Sequence, residues 1–133
     1  MKEVGDLLGF FLPGDCVYEY NATVTSVYDG DTITVDWDLG HAVWVKGAKL
    51  RLAGVNTPEL RTKDLLEKEA ARAARDYVRE CVLGKTIRLK SLKKGKYGRY
   101  LSIIWVLDED GEPAEESVND ALIRLGHAKP YMV

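Results

Sequence analysis

One stretch of this chain constrains its fold more than any other. From about Thr62 to Leu83 the sequence is rich in Ala, Leu, Glu, Lys and Arg. Leu66, Ala70, Ala74, Tyr77, Val78 and Cys81 recur there at helical spacing, and Gly84 follows as a C-terminal stop. The residues on either side of this one long helix favour short strands. A chain of 133 residues with that pattern builds one domain around one core.

The strands are read from alternation and turn residues. Val17 to Tyr28 is rich in β-branched and aromatic residues, and Asp29-Gly30 ends it as a hairpin turn. Thr32 to Asp38 alternates cleanly and stops at Leu39-Gly40. Val43 to Val45 and Lys49 to Val55 form a third strand, bent near Gly47. After the helix come strands over Lys85 to Leu92 and Tyr100 to Leu107, then a turn at Asp108-Glu109-Asp110-Gly111. Pro113 opens a second helix over Ala114 to Leu125, ended by Gly126. Three strands, a helix, two strands and a helix is the order of an oligonucleotide-binding (OB) barrel. The expected fold is mainly β with helices: five antiparallel strands, a helix between strands 3 and 4, and a C-terminal helix.

Charge and cysteine usage narrow the function classes. The net charge is -2, which argues against a passive, high-affinity nucleic-acid coat. One segment departs from that balance: between Lys85 and Arg99 stand seven basic residues and no acidic one. Cys16 and Cys81 have no metal-ligand spacing and read as two small buried or half-buried thiols, with a single bridge left open. Leu7 to Leu12 is apolar but only six residues long, follows Glu3 and Asp6, and precedes no cleavage site. It is too short for a secretory signal or a membrane span. The expectation is a cytoplasmic protein with no membrane partner, a processed secreted form staying open. Residues 1–16 are read as an arm on a domain over 17–133, packing on that domain or on a second copy as a monomer or weak dimer.

Three segments carry chemistry. Asp29-Gly30-Asp31-Thr32 places Asp31 just past a turn. Arg51-Leu52-Ala53-Gly54-Val55-Asn56-Thr57-Pro58-Glu59 runs from a strand into a polar turn, and Lys96-Tyr97-Gly98-Arg99 lies further on. Together they supply oxygen donors for a hard cation, a carboxylate able to activate water, and two guanidiniums able to hold a phosphate. Taken singly, Asp-Gly is a plain turn and each arginine an exposed surface group. Glu59 alone is a first-turn glutamate favoured by the helix dipole. His41 and His127 have no ligand-spaced partners, and no Walker or Rossmann loop is present.

In this order the three segments resemble the staphylococcal (thermo)nuclease family, over nearly the whole chain beyond the arm. The resemblance implies a calcium-dependent nuclease that hydrolyses DNA and RNA, prefers single strands and leaves 3′-phosphates. It implies Asp31, Asn56 and the Thr57 carbonyl as metal ligands, and Glu59 as the group that activates water. Arg51 and Arg99 would stabilise the transition state, and Lys96 and Tyr97 would contact the terminal phosphate of the bound nucleotide. The family usually carries aspartate where this chain has Asn56, which removes one ligand charge and weakens or shifts metal preference. The alternative is a catalytically weakened barrel that binds nucleic acid or protein.

Overall fold

The computed structural model describes residues 18–94 and 98–131. Residues 1–17, with the apolar segment and Cys16, and the site residues Lys96 and Tyr97 lie outside the described residues. The first strands are β1 (Glu19–Asp29), β2 (Thr32–Gly40), β3 (Val43–Leu52) and the short β4 (Val55–Asn56). Helix α1 (Leu65–Val82) precedes β5 (Thr86–Lys94) and β6 (Tyr100–Val106), and α2 (Val118–Arg124) precedes β7 (Lys129–Pro130). Strands β1, β2, β3, β6 and β5 close into a barrel in that order, and β4 pairs with β7 beside it.

The OB-type barrel expected from the element order is present, with one correction. Strand β3 pairs with β6 in parallel, Leu50 opposite Tyr100 and Leu52 opposite Ser102. A closed ring of five strands cannot alternate direction all the way round, so one junction must be parallel. The barrel is therefore mixed rather than wholly antiparallel. It closes around Val24, Ile33, Val35, Leu50, Leu52, Ile87, Leu89 and Ile104, all fully buried. Each such side chain contributes about 1.5–3 kcal/mol by leaving water. Strand β2 shows the alternation in full, with Ile33, Val35 and Trp37 inward and Thr32, Thr34, Asp36 and Asp38 outward. The bend expected near Gly47 is a bulge: Val35 faces Ala48 and Trp37 faces Val45, so Lys46 and Gly47 together oppose Asp36.

Both helices are shorter than their sequence patterns. Helix α1 begins at Leu65 because the Asp64 carboxylate caps it, accepting from the backbone N–H of Leu66 at 3.0 Å and Glu67 at 3.4 Å. Its buried stripe is Ala71, Ala74, Val78 and Val82, rotated from the expected one; Ala70 is exposed, and Leu66 is 78% exposed. Gly84 ends the helix as expected, at φ +77°, with its N–H donated to the Val24 carbonyl. Helix α2 starts at Val118, capped by Ser117, and not near Ala114. Residues 107 to 114 form a tight reversal instead. Leu107 bridges Pro113, and the Ala114 N–H is spent on the Val106 carbonyl. No helix among the described residues is long and apolar enough to cross a membrane.

Candidate active site

The site is built where the β1–β2 turn meets the end of β3. Gly30 and Asp31 form that turn, between the paired Asp29 and Thr32. Glycine is required at position 30 by space. A Cβ there would lie 2.8 Å from Thr57 Cγ2 and 2.9 Å from Ala74 Cβ. The turn is thus pressed against both the Asn56-Thr57 segment and helix α1. Gly30→Ala is expected to lower the unfolding free energy by about 1–3 kcal/mol through overpacking, read as a lower thermal midpoint.

Asp31 is the hub. It is only 7% exposed. Its Oδ2 accepts the Thr57 backbone N–H at 3.2 Å and lies 3.4 Å from Arg51 Nη2. Its Oδ1 accepts the Thr32 hydroxyl at 3.2 Å. Arg51 is drawn inward in the same cluster: Nη1 donates to the carbonyls of Leu52 at 2.8 Å and Val55 at 2.9 Å. One guanidinium therefore ties the Leu52–Val55 turn to the carboxylate of a different hairpin. A guanidinium has more donors than these contacts use, so part of its fork stays available. The Tyr131 ring lies 5.8 Å from the Arg51 guanidinium carbon.

Asp29 belongs to the cluster too, a residue whose Asp-Gly context reads as a simple turn. Its Oδ1 accepts the Asp31 N–H at 3.2 Å. Burial, and then the neighbouring Asp31 carboxyl, push Asp29 up to about 7. The signal for it was the Asp-x-Asp spacing across a two-residue turn, which turns both carboxyls the same way.

The other expected residues are placed less tightly. Asn56 is exposed on β4, opposite Lys129. Thr57 is buried, and its hydroxyl has no hydrogen-bond partner among the described residues. Glu59 is exposed in the loop before α1. That corrects the first-turn reading, since α1 starts only after Asp64 and its first-turn acid is Glu67. Arg99 is half-buried just ahead of β6, and the parallel pairing of Tyr100 with Leu50 brings it to the Arg51 end of β3. Within the basic segment, Arg88 is committed to the fold. It donates to Asn21 at 2.9 Å and to the Gly111 carbonyl at 3.3 Å. His127 stacks on Tyr77 at 5.2 Å, and both rings are half-buried.

The donor set can be tested against a divalent cation. Two carboxyls in contact and an orphaned buried hydroxyl, with the Asn56 amide next to it in sequence, are hard oxygen donors, the kind calcium and magnesium take. No group of three or more His, Cys, Asp and Glu able to hold a metal occurs among the described residues. The donors present are of the kind a hard cation takes.

A mixed five-stranded barrel with carboxylates and an inward-held arginine at one turn defines an OB-fold protein with oxygen donors and a guanidinium gathered at one place. The family described as Staphylococcal nuclease homologue matches residues 49–133, and the chain belongs to that family. The thermonuclease of Staphylococcus hyicus is 31% identical over 113 residues, covering 84% of this chain and 59% of that one. An uncharacterized protein of Methanocaldococcus jannaschii is 29% identical, covering 85% of this chain and 60% of that one. An uncharacterized endonuclease of Escherichia coli is 28% identical, covering 85% and 62%. The chain thus spans about three-fifths of the length of each of these relatives.

Proposed function

We propose that the domain over residues 17–133 is a calcium-dependent nuclease that hydrolyses DNA and RNA, single strands in preference, and leaves 3′-phosphates. The observation that carries this reading is the Asp31–Arg51–Thr57 cluster in a chain of the staphylococcal nuclease family. Asp31, Asn56 and the Thr57 carbonyl would hold the cation. When bound, it would supply Lewis-acid polarisation of the phosphate and of water. Glu59 takes the proton from the attacking water, and its exposed loop position leaves it room to meet substrate. The Arg51 fork and Arg99 hold the equatorial phosphate oxygens, where charge builds as the nucleophile arrives in line. Lys96 and Tyr97 take the terminal phosphate, and the 5′-oxygen leaves.

Asn56 favours one competing reading, a barrel that binds without cutting. The two are separated by incubating single-stranded DNA and RNA with calcium, magnesium or chelator. The parent protein is expected to cleave with calcium and not with chelator. Glu59→Gln is expected to lose about 100-fold or more in rate. Its stability should stay within about 0.5 kcal/mol, because the side chain is exposed. Arg99→Ala should lose cleavage as well. Asn56→Asp should lower the calcium concentration at half-maximal rate, by adding a ligand charge. Retained binding with intact substrate under every condition would make this a binding module.

A further inference from the structure

The strand pair beside the barrel brings one more cation to the Arg51 cluster. Val55 on β4 faces Pro130 on β7, and Asn56 faces Lys129. The Tyr131 N–H extends the pairing by donating to the Gly54 carbonyl at 2.9 Å. Side chains alternate along such strands, and directly opposed residues share a face. Val55 is 1% exposed, so its side of β4 is turned inward. Asn56 lies on the other side with Lys129 and Tyr131, and all three are exposed.

That outer face looks onto the Arg51 cluster. The Tyr131 ring, two residues along β7 from Lys129, lies 5.8 Å from the Arg51 guanidinium carbon. Asn56 directly precedes Thr57, whose N–H the Asp31 carboxylate accepts. Opposed Cβ atoms stand about 4.5–5.5 Å apart, so the Lys129 stem starts beside the Asn56 amide. Charge sets this lysine apart from Arg51. The Arg51 guanidinium already faces the Asp31 carboxylate at 3.4 Å, so the charges of that pair largely cancel. Lys129 makes no ion pair with any described residue. An aspartate at position 56 would give its ammonium a cross-strand partner, whereas the amide of Asn56 carries no charge. Lysines also serve to guard strand edges, but a strand of two residues has almost no edge to guard.

We propose that Lys129 is a phosphate-binding residue of this site, its ammonium holding a backbone phosphate of the strand whose scissile group sits at the Arg51 fork. The proposal rests on the nuclease reading, which supplies the occupant, a single-stranded nucleic acid. The two cations divide the work by their chemistry. The planar Arg51 fork, held by two carbonyls and a carboxylate, fixes one phosphate in a set geometry. The Lys129 ammonium is a point charge on a flexible stem, suited to a second phosphate whose position varies with the strand.

The test is NMR titration of the full chain, in chelator, with a thymidine tetranucleotide that has no terminal phosphate. A tetranucleotide with an uncharged methylphosphonate backbone and inorganic phosphate are titrated alongside. Lys129→Ala is expected to raise Kd for the phosphodiester ligand by about 3- to 5-fold, the worth of one exposed charge pair. It should leave Kd for the methylphosphonate ligand unchanged. Lys129→Arg should keep the parent affinity, because the contact needs a charge and not a particular shape. Both variants should fold as the parent does, since the side chain is exposed. Asn56→Asp should also weaken the phosphodiester ligand in chelator, its carboxylate competing for the ammonium. Unchanged phosphodiester affinity in Lys129→Ala, or an equal penalty for the uncharged ligand, would overturn the assignment while calcium-dependent cleavage by the parent kept the nuclease reading. The expected pattern in a parent that cleaves nothing would keep the Lys129 contact and overturn the nuclease. Inorganic phosphate bound as tightly as the tetranucleotide would make this a site for the free ion and overturn the nucleic-acid occupant. A parent that binds none of the phosphate ligands overturns the assignment whatever the cleavage assay shows.

Discussion

Arg51→Ala is expected to slow cleavage by about 10²- to 10³-fold and to lower stability in the same protein. The two losses have separate causes. The Arg51 side chain is 15% exposed and faces an Asp31 side chain that is 10% exposed. Removing one partner of a pair this buried leaves a charge without its counter-ion and costs about 3 kcal/mol or more. The carbonyls of Leu52 and Val55 lose their donor as well. For a domain of this size the thermal midpoint should fall by roughly 10 °C. The rate loss comes from the phosphate: removing one donor to a developing oxyanion typically costs about 10²- to 10³-fold. Arg51→Lys separates the effects. An ammonium keeps the charge beside Asp31 but cannot serve two carbonyls and a phosphate in one plane. The lysine variant should therefore regain part of the stability and little of the rate. Thermal unfolding and cleavage measured well below both midpoints check the two claims independently, and full activity in Arg51→Lys would remove the fork from the mechanism.

The second large effect is expected at Asn119, far from any motif. This side chain is 4% exposed. Its Oδ1 accepts the Ile104 N–H at 3.1 Å, and its Nδ2 donates to the carbonyls of Ala53 at 2.8 Å and Ser102 at 3.0 Å. One amide thus fastens α2 to β6 and to the turn that follows Arg51. Asn119→Ala should destabilise by about 3 kcal/mol, because buried groups left without partners cost about 1–3 kcal/mol each. Ser102 keeps one partner, since its carbonyl also accepts the Ala53 N–H at 2.9 Å. Asn119→Asp should be worse than alanine at neutral pH, since a carboxylate would face two carbonyl oxygens in a buried place. Chemical denaturation of the two variants gives the order directly. An aspartate variant as stable as the parent would mean that the Nδ2 contacts contribute nothing.

These two residues also show where linear reading succeeds and where it stops. Arg51 and Thr57 lie within one short segment, so their proximity was legible, and Asp31 meets both through its own turn. Strand β2 was legible for a similar reason: alternation along one strand is a local property, and the core-facing Ile33, Val35 and Trp37 follow from it. Gly84 was legible because a helix stop is a backbone requirement of one residue. Asn119 was not, since its three partners lie 15 to 66 positions away and its neighbours in sequence give no sign of them.

By itself, the sequence determined the element order, the inward residues of the strands and the chemical types available to the site. Only the tertiary structure decided how those pieces meet. It closed β3 on β6 in parallel, because a ring of five strands leaves one junction that cannot be antiparallel. It turned α1 so that Ala71, Ala74, Val78 and Val82 are buried, because which face of a helix meets the barrel is set by packing and not by the helix alone. It spent Arg51 on two carbonyls and a carboxylate, and it pressed Gly30 against Thr57, because those groups become neighbours only when two hairpins and a helix pack together. Local pattern records what each segment prefers; contacts between distant segments depend on packing, which no single segment contains.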